Sequence, residues 1–266
     1  MTPSEKRAAF RALHVPGDPL IMPNPWDVGS TKVMTSLGAK ALATTSAGHA
    51  FTIGKPDQGF VTAAEAFAHA AEVVAATDLP VNADFENGYG PAPEDAAGTV
   101  RRAAEIGLAG CSIEDADLQG EGSYGFDDAM ARAHACIAAA KESGIVLTLR
   151  ADGYMNRHYD AEEALRRMRA FAEAGADVIY APLVKDDVLK AMAETGTPVN
   201  ALMTARDAGR PASDFAALGL ARLSIGSTIA RVTHQAMLDA SRGAIVGDFS
   251  TFTNAASGDE VDALLT

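Results

Sequence analysis

The chain has 266 residues, 48% hydrophobic and 21% charged, with a formal net charge of −13. That composition suits one large globular domain, and the acidic balance excludes a nucleic-acid partner, which needs a basic face. No apolar run approaches the roughly 18 residues of a membrane span. The opening MTPSEKRAAFRALH is charged where a secretory signal is apolar. A cytoplasmic protein with no membrane partner is therefore expected.

In chain order, residues 3–13 read as a leading helix and 20–22 as a short strand. Asn24-Pro25-Trp26-Asp27 turns into a helix that Gly38 stops. The next strand spans 39–44, followed by a long glycine-rich loop over 45–61. Helices are then expected at 62–76, 93–106, 127–142, 160–173, 185–194, 212–218 and 227–241. Between them lie strands at 80–84, 111–114, 145–151, 177–181, 198–202 and 222–225. One pattern recurs: an alanine-rich helix, a glycine, then a short β-rich run, at Gly38, Gly107, Gly144, Gly175, Gly196 and Gly219. Glycine takes the left-handed position after a helix at no steric cost. About eight such units indicate a (β/α)8 TIM barrel over residues 1–241. The strands read as continuously apolar, as in a parallel sheet covered by helices. A doubly wound sheet is disfavoured, because no GxGxxG follows the first strand. Residues 242–266 form a polar tail with a final short helix, packing on the barrel or on a neighbouring subunit.

Barrel active sites lie at the C-terminal ends of the strands. VNADFENGYG ends the third strand with Asp84 and Glu86, and CSIEDAD ends the fourth with Glu114 and Asp115. Carboxylates from neighbouring strand ends make a hard oxygen site for Mg²⁺, or Mn²⁺. The bland alternative makes each acid a helix cap or turn residue. Ser46-Ala47-Gly48 is a tight loop whose backbone N–H groups could hold an anionic oxygen; the alternative is an ordinary βα loop. Arg150 emerges from the apolar run IVLTLR and needs an anionic partner, either a substrate carboxylate held bidentately or Glu114 next door. Asp152 and Asn200 stand at further strand ends, Asn200 as a candidate substrate-binding residue. His49, His158 and His234 are possible proton carriers, while His69 and His134 read as surface or packing residues. Cys111 and Cys136 read as buried thiols in a reducing compartment.

The ordered set PNPWDVGSTKVMTSLGAKALATTSAG, KPDQG, ADFENGYG, SIEDA, LTLRAD, EAGADVIYAP and RLSIGS resembles the isocitrate lyase/phosphoenolpyruvate mutase superfamily. The match runs over nearly the whole barrel. The resemblance implies a homodimer or homotetramer with the last helix swapped between subunits. It implies Mg²⁺-dependent chemistry on 2-oxo or 2-hydroxy acids, making or breaking a C–C or P–C bond next to an enolate. Carried over by position, it makes Asp84, Glu86 and Glu114 the metal carboxylates, several acting through water. Ser46, Ala47 and Gly48 become the carboxylate clamp, Arg150 the facing cation, Asp57 of KPDQG the mobile-loop aspartate, and Trp26 a pocket aromatic.

Two departures matter. The metal motif reads Asp84-Phe85-Glu86 where the superfamily usually has Asp-x-Asp. The loop after strand four also lacks the lysine-cysteine-glycine-histidine stretch of the isocitrate and methylisocitrate lyases. The expectation is therefore a lyase, hydrolase or decarboxylase of a small 2-oxo or 2-hydroxy (di)carboxylate. The rivals are phosphoenolpyruvate mutase or phosphonopyruvate hydrolase chemistry, and a non-catalytic 2-oxo acid binder.

Overall fold

The structure, a computed structural model, describes residues 1–118, 120 and 122–265. Eight parallel strands form one sheet: β1 Leu20–Met22, β2 Leu42–Ala43, β3 Val81–Asp84, β4 Gly110–Glu114, β5 Val146–Arg150, β6 Val178–Tyr180, β7 Val199–Leu202 and β8 Arg222–Ser224. They follow one another in the order β2-β3-β4-β5-β6-β7-β8-β1. Closure between β1 and β2 comes from the Ala43 N–H, which donates to the Pro23 carbonyl at 3.1 Å. Asn24 reinforces it: its Nδ2 donates to the Thr44 carbonyl at 3.0 Å, and its Oδ1 accepts from the N–H groups of Ile225 and Gly226. The result is the expected (β/α)8 barrel.

The helices are α1 Pro3–Ala12, α2 Val28–Ser36, α3 Ser46–Thr52, α4 Ala63–Ala75, α5 Pro93–Glu105, α6 Phe126–Ser143, α7 Ala161–Ala174, α8 Asp186–Ala193, α9 Ala212–Ala216, α10 Thr228–Ile245 and α11 Gly258–Leu265. All six glycines of the recurring pattern have φ between +73° and +101°, so a left-handed turn feeds each following strand, as read from the sequence. None of the described helices is long and apolar enough to cross a membrane.

Two expectations need correction. The segment after β2 is not all loop: Thr45 caps the seven-residue helix α3, its side chain accepting from the Gly48 N–H. Nor are the strands uniformly apolar. Ala83, Cys111, Ile113, Leu147, Leu149, Ile179, Ala201 and Leu223 belong to the outer core shared with the helices. The alternate positions Asn82, Asp84, Ser112, Arg150, Asn200, Arg222 and Ser224 line a cavity inside the barrel. The side-chain period of two sends one set to each face, and small polar residues among the apolar ones hide that alternation. At the opposite end Phe10 of α1 plugs the barrel, fully buried among Leu20, Val146 and Val178. Gly110 permits this, because a Cβ there would lie 2.6 Å from the Phe10 ring.

Candidate active site

Arg150 is the hub. As the last residue of β5 it sits level with Glu114 on β4 and Tyr180 on β6. Its Nη1 lies 2.8 Å from Asp84 Oδ1, its Nη2 3.1 Å from Glu114 Oε2, and its Nε donates to Asp152 Oδ1 at 3.0 Å. Its side chain is only 12% exposed. Burial alone would weaken its hold on the proton, but Asp152, Asp84 and Glu114 outweigh that and tighten it. Both partners named in advance are thus compatible: Glu114 is one of three carboxylates already in place, and the guanidinium also lines the cavity.

Asp84 accepts from Arg150 on one oxygen and from the Ser46 hydroxyl on the other, at 2.9 Å. Glu86 has a left-handed backbone, φ +46°. One of its oxygens accepts from the Gly59 N–H at 3.1 Å, and the other is buried without a partner. Burial, followed by the charges of Asp84 and Asp57, pushes its carboxyl up to about 7. Glu114 is held well above the ordinary glutamate range by burial and by Asp152. Asp57 stands on an exposed loop with its carboxyl turned inward to the Ser46 side chain. There burial, the largest influence, raises its pKa and the charge of Asp84 adds to it. That loop is tied over the site by Gly59 and by Gln58, whose Nε2 donates to Asn156 Oδ1.

Five carboxylates, Asp57, Asp84, Glu86, Glu114 and Asp152, thus surround one arginine. The surplus of acid, the unpartnered oxygen of Glu86 and the raised carboxyls are the features a divalent cation would relieve. Among the described residues no three such side chains form a direct ligand set. A hard divalent cation bound through one or two carboxylates and several waters would suit this arrangement. Asp84, with Glu86 and Glu114 acting through water, would hold it.

Asp115, adjacent to Glu114, turns away. Its oxygens accept from the Asp152 N–H, the Tyr159 hydroxyl and Arg167 Nη1, all within 2.8 Å. It is neither ligand nor cap but an anchor that fixes the loop after β5 and hence Asp152. Ser46 and Ala47 line the cavity. Gly48 is packed against Thr45 and Trp26, its N–H taken by Thr45. Trp26 is half-buried beside the cavity but not in its wall. Asn200, fully buried, donates to Ser224 and accepts from Arg222.

Among the described residues no histidine lines the cavity. His49 and His69 stack on each other, His158 bonds Ser123 and His234 bonds its own helix. Cys111 and Cys136 are buried free thiols, as expected, and burial raises both. The cavity is about 140 Å³, far below the roughly 300–1,000 Å³ of drug-sized ligand sites, so its ligand has few carbons. After β4 a two-stranded ribbon, Ala116–Asp117 with Gly122–Ser123, occupies the place of the missing cysteine loop. Gln119 and Glu121 within it lie outside the described residues. Sequence reading did not select Asp152 as a site residue, although it stood at a strand end. It also missed Arg222, Tyr180 and the polar floor, which strict alternation within the strands would have exposed.

The phosphoenolpyruvate phosphomutase family model matches residues 10–245. The chain belongs to the isocitrate lyase/phosphoenolpyruvate mutase superfamily. It is 31% identical over 222 residues, 82% of each chain, to an uncharacterised protein of Mycobacterium tuberculosis. It is 29% identical over 213 residues to a protein of Corynebacterium glutamicum named as a probable 2-methylisocitrate lyase, covering 77% of this chain and 68% of that one. A solved structure from Burkholderia cenocepacia, described as a candidate lyase or mutase, superposes with a TM-score of 0.92 at 38% identity, covering 98% and 95% of the two chains. Named superfamily relatives are lyases and hydrolases acting on small carboxylic acids, and the chain is an enzyme of that superfamily.

Proposed function

We propose that the chain is a Mg²⁺-dependent enzyme cleaving a C–C bond in a small 2-oxo or 2-hydroxy carboxylic acid, as a lyase, hydrolase or decarboxylase. The observation that carries this reading is Arg150 at the mouth of a small cavity, ringed by Asp84, Glu114 and Asp152 and facing Asp57 and Ser46. A divalent cation would supply Lewis-acid stabilisation of the enolate oxygen that develops as the bond breaks. Arg150 and the first turn of α3, Ser46 and Ala47, orient the substrate carboxylate. Asp57, its proton affinity raised mainly by burial, takes up a hydroxyl proton or orients a water. The loop over 55–61 excludes solvent while it does so. Among the described residues no cysteine, histidine or lysine lines the cavity, which sets this site apart from the cysteine-dependent lyases of the superfamily it resembles.

The test is a panel of 2-oxo and 2-hydroxy acids assayed with Mg²⁺ and with EDTA. At least one acid should be cleaved, with turnover stopped by EDTA and restored by Mg²⁺. Turnover indifferent to EDTA would refute the metal role. Phosphorus NMR with phosphonopyruvate separates P–C cleavage from C–C cleavage. Metal-dependent binding without any turnover would identify a binder instead.

We also propose that the active form is a homodimer or homotetramer with α10 exchanged between subunits. Ile21 of β1 is 47% exposed and Leu37 72%, because none of the described helices covers an apolar groove of about 490 Å³ bounded by Leu13, Ile21, Met34 and Ile229. Helix α10 in turn leaves Val232, Met237, Leu238 and Ile245 in solvent. Patches of this kind mark interaction surfaces. Light scattering should give a multiple of 27.5 kDa, and the double variant Val232→Asp/Leu238→Asp should fall to the monomer. A monomeric parent protein sinks the proposal.

A further inference from the structure

The cavity has two ends, and the reading above uses only the outer one. At the inner end lies Arg222, the first residue of β8, 2% exposed. Its Nε donates to Asn200 Oδ1 at 2.9 Å and its Nη2 to Thr148 Oγ1 at 3.1 Å, and its Nη1 meets His14 Nε2 at 3.2 Å. All three partners are neutral, since burial, then the Arg222 charge, drives His14 down to about 3. A guanidinium has five N–H donors, so three are used and two find no acceptor among the described residues. No ion pair to Arg222 is formed among the described residues.

A buried charge without a counter-charge is costly. Burial lowers Arg222 to about 9, and the Arg150 charge adds to that, while the mouth carboxylates Asp84, Glu114 and Asp152 are paired with Arg150 instead. Its positive field at the floor is therefore not cancelled by the acids above. Asn82 on β3 lines the same cavity, and its Oδ1 is a buried acceptor with no partner among the described residues. The floor holds more polar capacity than the chain itself satisfies. A methionine would fill the same space without that cost, so packing alone does not account for an arginine here.

Resting on the reading of this cavity as a 2-oxo or 2-hydroxy acid site, we propose that Arg222 seats a second anionic group of the substrate. The preferred substrate is then a dianion: its 2-oxo or 2-hydroxy carboxylate end meets Arg150 and Asp84 at the mouth, and its distal carboxylate meets Arg222 on the floor. A cavity of about 140 Å³ limits such a molecule to a short dicarboxylate. Arg222 is a specificity residue, not a participant in bond cleavage.

The test is titration calorimetry in Mg²⁺ with malate and with 2-hydroxybutanoate, which replaces the distal carboxylate by a methyl on the same skeleton. The wild type should bind malate about tenfold or more tightly. In Arg222→Met that preference should shrink to within about threefold while 2-hydroxybutanoate affinity stays nearly constant, and Arg222→Lys should retain part of it. Circular dichroism checks the fold of each variant. If the methionine variant does not fold, the decision falls to the wild-type ratio together with the lysine variant, in which the ratio must drop. A wild type that binds both acids alike, or an Arg222→Met variant that keeps the preference or loses both acids equally, overturns the proposal. If neither acid binds the wild type, the 2-hydroxy acid reading of the cavity fails as well, which is a distinct result.

Discussion

Asp84→Asn is expected to lower kcat/KM by about 10²–10³-fold or more, the scale seen when one preorganised electrostatic group is removed from an active site, while leaving the fold intact. The asparagine can still accept from the Ser46 hydroxyl, and Arg150 keeps Glu114 and Asp152. What disappears is the negative charge facing the cavity, which is what a divalent cation requires. The loss should not be recovered by raising substrate concentration, because it falls on stabilisation of developing charge rather than on ground-state binding. Mg²⁺ titration of the variant should show weakened affinity in parallel. Asp115→Asn supplies the contrast. That acid is tied to Arg167, Tyr159 and the Asp152 N–H, so its loss should depress the melting temperature before it touches Mg²⁺ affinity. An Asp84→Asn enzyme within about threefold of wild type on every substrate would remove Asp84 from the metal site.

The barrel could be read from the sequence because its signal is local. Each helix runs into a glycine that only a left-handed turn requires, and Gly38, Gly107, Gly144, Gly175, Gly196 and Gly219 all adopt it. The outer ring of the site was legible for a related reason: Asp84, Glu114 and Arg150 each interrupt an apolar run at its C-terminal end, where a charge has no packing role. The inner floor was not. Asn82, Asn200 and Arg222 sit within or at the start of strands, where one polar residue looks like noise unless the period of two is applied to strands of only three or four residues. Tertiary closure is what separates Glu114 from Asp115. They are adjacent in sequence, yet one pairs with Arg150 and the other with Arg167 of α7, a distinction no local pattern carries. Helix α3 escaped for a similar reason: SAGHAFT is too short and too rich in small residues to show a helical stripe, and its cap, Thr45, reads equally well as a turn residue.

Arg150→Met is expected to be the most damaging single change to stability. It leaves Asp84, Glu114 and Asp152 facing one another in a site where Arg150 was 12% exposed and Asp152 1%. Breaking a buried charge cluster this way costs roughly 3–5 kcal/mol, a fall in melting temperature of the order of 10 °C for a chain of this size. The sign of its pH dependence identifies the cause. Glu114 and Asp152 are already raised, chiefly by burial, and without Arg150 they rise further. A carboxyl whose folded pKa exceeds its unfolded value holds more protons in the folded state, so stability grows as pH falls through the folded pKa and is lost as pH rises. The deficit of Arg150→Met should therefore be largest near pH 8 and shrink toward pH 5, and Mg²⁺ should relieve part of it by supplying another cation. Arg150→Lys should keep most of the stability but raise KM, since a point charge cannot hold a carboxylate bidentately. A deficit that is the same at pH 5 and pH 8 and indifferent to Mg²⁺ would mean that Arg150 is held by packing, and that the acids around it are not the electrostatic unit described above.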